Sequence, residues 1–104
     1  MNQDNTIKGG VNMVFRGHEF VAGTNNKGDA SVTLEIMKSG GIKIEIISKA
    51  LTKYGQSIEN SIREILSKAN VEHARIAVED YGALDFVIRA RTETAIQRAL
   101  AEKE

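Results

Sequence analysis

Alternating apolar and polar residues predict two strands in the first half of the chain. Over residues 30–37 the larger apolar side chains share one face and polar side chains share the other. The alternation returns over residues 42–46, where an isoleucine occupies every second position. Because residues 38–41 include two glycines that suit a turn, we expect these two strands to pair as a β-hairpin with one solvated face.

The apolar spacing then changes to steps of three and four, which predicts an amphipathic helix over residues 49–69. Its apolar stripe comprises Tyr54, Ile58, Ile62, Ile65, Leu66 and Ala69. Ser48 is a suitable N-cap because its hydroxyl can accept a free amide, and Asn70 is a suitable C-cap because asparagine tolerates positive φ.

Alternation over residues 74–79 predicts a third strand, and Asp80-Tyr81-Gly82 then turns the chain. A second helix is expected over residues 84–102. Its apolar side chains are Leu84, Val87, Ile88, Ala95, Ala99 and Leu100. The alternative is a strand over 85–90 followed by a shorter helix from Thr92, because Phe86, Val87 and Ile88 favour strands.

The N-terminal part of the chain carries weaker patterns. Residues 1–10 are mostly polar and end in two glycines, so we expect a flexible tail before a domain spanning residues 11–104. Residues 11–15 give a weak strand signal, and residues 20–22 form a short apolar piece. Residues 23–29 contain two glycines and two asparagines, which is typical of an exposed loop.

The order of the stronger elements is β-β-α-β-α, which predicts an α+β fold. We expect a two-layer sandwich in which two helices pack on one face of a small, mainly antiparallel sheet. The other sheet face is polar and is expected to meet water or a partner.

Composition narrows the possible functions. The 104 residues include no cysteine, which excludes disulfides, thiol catalysis and cysteine-ligated metal sites. Fourteen basic residues balance fourteen acidic ones, which argues against a nucleic-acid partner. No apolar run reaches the length of a membrane span, and the polar N-terminus lacks the order of a secretory signal, so we expect no membrane partner and a cytoplasmic location.

Candidate catalytic groups are few. The two histidines each have a glutamate neighbour, in His18-Glu19 and Glu72-His73. Adjacent strand residues point to opposite faces, so neither pair favours a metal site. No serine lies in a nucleophile-elbow context, and we therefore expect neither catalytic nor metal-binding residues.

Two charged groups leave alternatives open. Glu79, Asp80 and Asp85 could bind a hard cation, although Asp80 can equally form an Asx-turn and Asp85 can face a helix dipole. The three arginines at 89, 91 and 98 could grip phosphate or an acidic partner, or form an ordinary solvated face.

Two strings resemble the acyl carrier protein, or gamma subunit, of citrate lyase. The first is Val78-Glu79-Asp80-Tyr81-Gly82-Ala83-Leu84-Asp85-Phe86-Val87-Ile88-Arg89-Ala90-Arg91, which Ala95 and Arg98-Ala99 continue. The second is Val21-Ala22-Gly23-Thr24 with Gly28-Asp29, and Lys53-Tyr54-Gly55 matches a helix start in the family. The resemblance runs from about residue 20 to residue 100.

The resemblance implies a non-catalytic subunit that carries phosphoribosyl-dephospho-CoA on a serine. The thiol of that group presents acetyl and citryl groups to transferase and lyase subunits. The family places the serine between Ala-Gly-Thr-x-x and Gly-Asp, and in this chain that position is Lys27, before Gly28 and Asp29. The nearest hydroxyls belong to Thr24 and Ser31, and Ser31 is the alternative attachment residue.

Four functional hypotheses follow. The chain can be an acyl-carrier subunit whose arm is attached to Ser31 or held noncovalently. It can be a paralogue without the prosthetic group that serves as a structural or regulatory subunit. It can be an unrelated binding module that uses the polar sheet face, for example on RNA, which the neutral charge disfavours. An independent enzyme comes last.

Overall fold

The computed structural model describes residues 6–7, 11–48 and 51–102, and these residues form six strands and two helices. In chain order the elements are β1 (Thr6–Ile7), β2 (Val14–Phe15), β3 (Phe20–Gly23), β4 (Ala30–Ile36), β5 (Ile42–Ile47), α1 (Leu51–Lys68), β6 (Ala74–Asp80) and α2 (Asp85–Glu102). The stronger predicted elements are therefore present, and the architecture is α+β as expected.

Four strands form the main sheet in the order β3-β4-β6-β5. The pairs β3–β4 and β4–β6 are antiparallel, whereas β5 and β6 are parallel. The sheet is thus mainly antiparallel, as predicted. The predicted hairpin between residues 30–37 and 42–46 is wrong, because β6 lies between those two strands.

The burial of β6 explains why it separates the two predicted hairpin strands. Ile76, Ala77 and Val78 are at most 1% exposed, so both faces of this strand are covered. A strand that is covered on both faces gains most from an interior position, while β5 is only partly buried and takes the edge. Helix α1 connects β5 to β6 as a parallel crossover, a connection that local pairing signals do not reveal.

The predicted stripe of α1 faces the core. Ile58, Ile62, Ile65 and Leu66 are buried, and Tyr54 falls where only the backbone is described. Asn70 has φ of 60° and ends the helix, as predicted for a C-cap. Its N–H donates to Ser67 O and the Val71 N–H donates to Leu66 O, which is a Schellman motif.

Helix α2 is one continuous helix, so the alternative of a strand over 85–90 is wrong. Its buried side chains are Ile88, Thr92, Ala95, Ile96 and Ala99. Of the apolar side chains named for this helix, Leu100 is 38% exposed, and Leu84 precedes the helix and is 62% exposed. Thr92 is buried because its hydroxyl donates to Ile88 O at 2.8 Å, which satisfies the polar group within its own helix.

The sheet face turned away from the helices, here called the outer face, was predicted to meet water or a partner, but part of it is covered by the chain itself. Residues 11–16, here called the N-terminal segment, pack against part of it. Val11 and Phe15 form a small apolar cluster with Ala77, and Phe15 is fully buried. Strand β2 belongs to this segment and pairs with β1.

Charged side chains of the outer face hold the backbone of the N-terminal segment. The carboxylate of Glu45 accepts the N–H groups of Asn12 and Met13 at 2.8 and 2.6 Å. Glu35 accepts the Arg16 N–H at 2.9 Å. Buried carboxylates need such donors because an unpaired charge in the interior is costly.

Two predictions near the termini of elements concern residues that are only partly described. The flexible tail was expected over residues 1–10, but Thr6–Ile7 form the strand β1, and the rest of that segment lies outside the described residues. Ser48, the predicted N-cap of α1, precedes residues 49–50, which also lie outside them. The Ser48 hydroxyl donates to Asp80 Oδ2 at 2.8 Å.

Candidate functional site

The loop predicted over residues 23–29 connects β3 to β4, which are the strands that do form a hairpin. Gly23 closes this hairpin with φ of +93°. A Cβ at this position would lie 1.8 Å from the carbonyl oxygen of Ala30, which no side chain can tolerate. Glycine is therefore required here both by its backbone conformation and by the close approach of β4.

Lys27 lies at the tip of this loop. Asn26 O accepts the Asp29 N–H at 2.9 Å, so residues 26–29 form a β-turn with Lys27 and Gly28 in its centre. Gly28 has φ of +90°, as the third residue of a type II turn requires. The Lys27 side chain is exposed. We call residues 24–29 the tip loop.

Asp29 holds the tip loop together. Its Oδ2 accepts the N–H and the hydroxyl of Thr24 at 3.1 and 2.7 Å, and its Oδ1 accepts the Ala30 N–H at 2.7 Å. Arg91 on α2 binds both oxygens, with Nε at 2.9 Å from Oδ1 and Nη2 at 3.1 Å from Oδ2. This paired geometry is the strongest form of arginine–carboxylate contact.

The hydrogen bonds to Asp29 lower the pKa of its carboxyl group. The Arg91 guanidinium, first of all, and then the Thr24 and Ala30 donors hold the pKa of the Asp29 carboxyl far below its usual range. The same carboxylate raises the pKa of Arg91. The ion pair is therefore intact at any pH near neutrality.

The turn after β6 supports the tip loop from the side. The Gly28 N–H donates to Tyr81 O at 2.7 Å, and the Tyr81 N–H donates to Asp29 O at 2.9 Å. Asp80 forms the predicted Asx-turn, because its Oδ1 accepts the N–H groups of Gly82 and Ala83 at 3.0 and 2.8 Å. The two strings that carried the family resemblance thus meet in one structure around residue 27.

Gly82 lies in the turn after β6 that supports the tip loop, and its backbone conformation shapes that turn. It has φ of +93°, as expected for a glycine between a strand and a helix. A Cβ there would lie 3.8 Å from the Gly28 nitrogen, which is ordinary contact. The backbone conformation, rather than space, is what favours glycine at this position.

All three arginines that the sequence left open bind within the domain. Besides Arg91, Arg98 donates to Val21 O at 2.5 Å and Arg89 pairs with Glu64 at 3.2 Å. Arg89 lowers the pKa of Glu64, with Lys68 as a further cause. The Asp29–Arg91 pair spans 62 positions, and the only sequence signal for it was that each residue lies in one of the two family strings.

The two hydroxyls nearest to Lys27 in the sequence, those of Thr24 and Ser31, do not share its position at the tip of the loop. The Thr24 hydroxyl donates to Asp29 and also accepts the Asn26 N–H. Ser31 lies within β4, where its Cα neighbours are Gly23 on β3 and Glu79 on β6. Its side chain belongs to the outer face and is half-buried, so Ser31 is part of the sheet and not of the exposed loop.

Among the described residues, the histidines and acidic side chains form no cluster that could hold a metal ion. Within residues 11–48 and 55–102, no three His, Asp or Glu side chains come close enough to hold a metal ion. His73 Nδ1 accepts the Gly41 N–H at 2.9 Å, and the His18 ring lies near that of Phe20. The carboxylate of Glu79 accepts the Tyr81 hydroxyl at 3.2 Å, and burial, followed by the Glu79 charge, raises the pKa of that phenol. Neither helix of the described chain is long and apolar enough to cross a bilayer.

A solved structure shares this fold. It is titled as the crystal structure of a Pseudomonas malonate decarboxylase hetero-tetramer in complex with malonate, and one of its chains superposes with a TM-score of 0.56. The match covers 78% of this chain and 82% of that chain at 23% identity. At that identity the similarity supports the fold alone.

Sequence comparison adds closer relatives. The chain is 39% identical over 79 residues to the citrate lyase acyl carrier protein of Fusobacterium nucleatum, covering 76% of this chain and 84% of the relative. It is 42% identical over 82 residues to the Haemophilus influenzae protein of the same name, covering 79% and 84%. The Escherichia fergusonii protein is 37% identical over 84 residues, covering 81% and 87%.

The family match extends over most of the domain. Residues 17–99 match the acyl carrier family described as the malonate decarboxylase delta subunit. That range contains both family strings, the tip loop and every strand of the main sheet. The chain therefore belongs to the acyl carrier family that includes the malonate decarboxylase delta subunit and the citrate lyase acyl carrier proteins.

Proposed function

We propose that this chain is the acyl-carrier-type subunit of a citrate-lyase-type complex and that it works without a covalently attached arm. It presents the tip loop to transferase and lyase subunits, with Lys27 at the position that the relatives use for the prosthetic group. In this role it performs no catalysis of its own. It shapes or regulates the complex through docking.

The rigidity and exposure of the tip loop carry the proposal. Asp29 receives five hydrogen bonds from Thr24, Ala30 and Arg91, and Gly28 is bonded to the Tyr81 carbonyl. Residues 24–28 nevertheless remain exposed to solvent. A short loop held this firmly loses little conformational entropy when a partner binds it, which favours docking.

The residues present do not fit a phosphoribosyl-dephospho-CoA group linked through serine. Lys27 offers an amine, which cannot form a serine-type phosphodiester. The Thr24 hydroxyl is engaged by Asp29. Ser31 lies in β4 between β3 and β6, so its hydroxyl belongs to the sheet and not to the exposed loop that carries Lys27.

Lys27 gives the tip loop a different chemistry from that of an anionic phosphodiester. Its ammonium is a compact, hydrated charge on a flexible stem, suited to an acidic recess on a partner. The neighbouring cation, Arg91, is neutralised by Asp29, so Lys27 supplies the positive charge at the tip. The complementary partner surface is accordingly expected to be acidic.

The first experiment is the intact mass of the protein purified from its native host. The expected mass equals the sequence mass apart from N-terminal processing. A mass raised by a phosphoribosyl-dephospho-CoA unit would contradict the unmodified state, and loss of that increment in Ser31→Ala would assign the arm to Ser31. Incubating Lys27→Ser with the citrate lyase modifying enzymes is expected to restore attachment, with Ser31→Ala as the matched variant that does not.

The second experiment tests docking directly. The transferase and lyase subunits of the same host are mixed with the chain, and assembly is followed by size-exclusion chromatography with light scattering. Lys27→Glu is expected to weaken assembly strongly, because it reverses the charge at the tip. Lys68→Glu, on the exposed end of α1, is the control and is expected to leave assembly intact. If Lys27→Glu assembled with the partner subunits to the same extent as the wild type, docking through the tip loop would be refuted.

A further inference from the structure

A second distinctive surface lies at the opposite end of the sheet from the tip loop. Strand β4 runs from Ala30, beside the tip loop, to Ile36, a span of about 20 Å. Beyond Ile36 the loop over residues 37–41 and the first residues of β6 border a cavity of about 400 Å³. Because the two ends are so far apart, this cavity is separate from the site already described.

The cavity gathers four cationic side chains in a chain with no net charge. Arg16, Lys38, Lys43 and Arg75 all line it, and none of its described lining residues is acidic. Two carboxylates of the outer face accompany these cations: buried Glu35 is the strand neighbour of Arg75, and Glu45 follows Lys43 by two positions on β5. Even if each carboxylate offsets one of the four charges, two remain, so the local potential is positive.

The fold fixes the position of these cations. Lys43 and Arg75 are direct neighbours in the parallel pair of β5 and β6, and both belong to the outer face. Arg75 Nη1 donates to Val14 O at 2.9 Å, which orients the guanidinium. Arg16 lies in the N-terminal segment and is held in place by its backbone N–H, which donates to the Glu35 carboxylate at 2.9 Å. Like charges gathered by structural contacts repel one another, and an anion would relieve that repulsion.

The glycine loop on the other side of the cavity is open and anchored. Gly40 and Gly41 have φ of +100° and +74°, and a Cβ at either would meet nothing within 4 Å. The Gly41 N–H donates to His73 Nδ1 at 2.9 Å, and Gly41 O accepts the Ala74 N–H at 3.0 Å. A ligand can therefore approach the loop backbone and the neighbouring Ser39 closely without any rearrangement of the loop.

We infer that this cavity binds the phosphate group of a small phosphorylated molecule. Arginine offers a planar fork of donors for phosphate oxygens, and lysine adds point charge. A phosphate monoester carries about −1.5 to −2 charge at neutral pH, which suits an excess of about two cations better than a single carboxylate does. The volume lies in the range of small-molecule sites, so there is room for a body beyond the phosphate.

The test is a titration with inorganic pyrophosphate, followed by NMR of the backbone amides. We expect saturable shifts confined to the amides of residues 38–43 and 74–75. The double variant Lys38→Gln/Lys43→Gln should bind about tenfold more weakly or worse, since charge-assisted contacts are lost. Lys68→Gln makes the same kind of charge change on α1 and should alter binding less than about twofold. Thermal melting checks that both variants are folded.

Several outcomes would overturn the inference. Shifts spread over the whole surface, or equal weakening by Lys68→Gln, would show that binding is non-specific. Tighter binding of citrate than of pyrophosphate at these amides would replace phosphate with a polycarboxylate. Tighter binding of a short single-stranded RNA there would replace the small molecule with a nucleic acid. None of these results depends on Lys27, so the docking proposal and this one can fail separately.

Discussion

Replacing Gly23 by alanine isolates the steric demand that closes the β3–β4 hairpin. Gly17 provides the matched control, since its φ is +101° against +93° at Gly23, but a Cβ there meets nothing within 4 Å. Both alanine variants incur the cost of a left-handed backbone, about 1–2 kcal/mol, and both reduce unfolded-state entropy equally. The difference between them therefore reports the contacts of the new Cβ, chiefly with the Ala30 carbonyl and secondarily with Arg91 Cδ at 3.2 Å.

The size of that difference follows from the geometry. At Gly23 the new Cβ would lie 1.8 Å from Ala30 O, whereas ordinary contact begins near 3.4 Å. Strand β4 must retreat by more than an ångström, which disrupts the start of the β3–β4 ladder and the Ala30–Asp29 hydrogen bond. Losing about two net hydrogen bonds costs roughly 2 kcal/mol. Gly23→Ala should thus be about 2 kcal/mol or more less stable than Gly17→Ala.

Urea unfolding followed by circular dichroism measures both variants at one temperature. With equal m-values, the separation of midpoints gives the difference in free energy of unfolding. Thermal scans should show the melting temperature of Gly23→Ala about 10 °C below that of Gly17→Ala. A difference under about 1 kcal/mol would show that β4 yields cheaply, and the argument for a rigid tip loop would then fail.

Three further predictions concern the core, the ion pair and the second turn. Ile62→Asp places a charge at a fully buried site and should cost several kcal/mol, whereas exposed Asn60→Asp should change the melting temperature little. The depressed pKa of Asp29 means that its contribution is present above about pH 4 and is lost as the pH falls below that value. Urea midpoints at about pH 6 and about pH 3 should therefore differ less in Asp29→Asn than in the wild type. Gly82→Ala should destabilise by roughly 1–2 kcal/mol from backbone conformation, and a neutral melt would contradict its positive φ.

The sequence predicted the helices and strands better than it predicted which strands pair with one another. Alternation identified β4, β5 and β6 because the alternation of apolar and polar residues is a local property of the chain. It could not show that β6 inserts between the other two, since pairing depends on how both faces of each strand are covered in the folded domain. The isoleucines and Leu66 of the predicted α1 stripe are buried, whereas the apolar Leu84 is exposed and the polar Thr92 of α2 is buried.

For the candidate site, local composition predicted an exposed loop at residues 23–29 and an Asx-turn at Asp80, and both are present. The bond between Asp29 and Arg91 could not be derived from local pattern, because the loop before β4 and the first half of α2 meet only in the folded chain. The outer sheet face was misjudged for a related reason. Charged residues in a strand usually indicate a solvated face. Here the carboxylates of Glu35 and Glu45 instead accept hydrogen bonds from backbone amides of the N-terminal segment, which is far away in sequence.

The N-terminal segment has a consequence for where this folding unit begins. The family match starts at residue 17, but Phe15, which is fully buried, lies upstream of it. A chain trimmed to the homologous region would uncover Ala77 and leave the Glu35 and Glu45 carboxylates without the amides that they now bind. The boundary of homology and the boundary of the buried contacts therefore differ by several residues at the N-terminus. Shortened versions of this protein are best made from the second boundary.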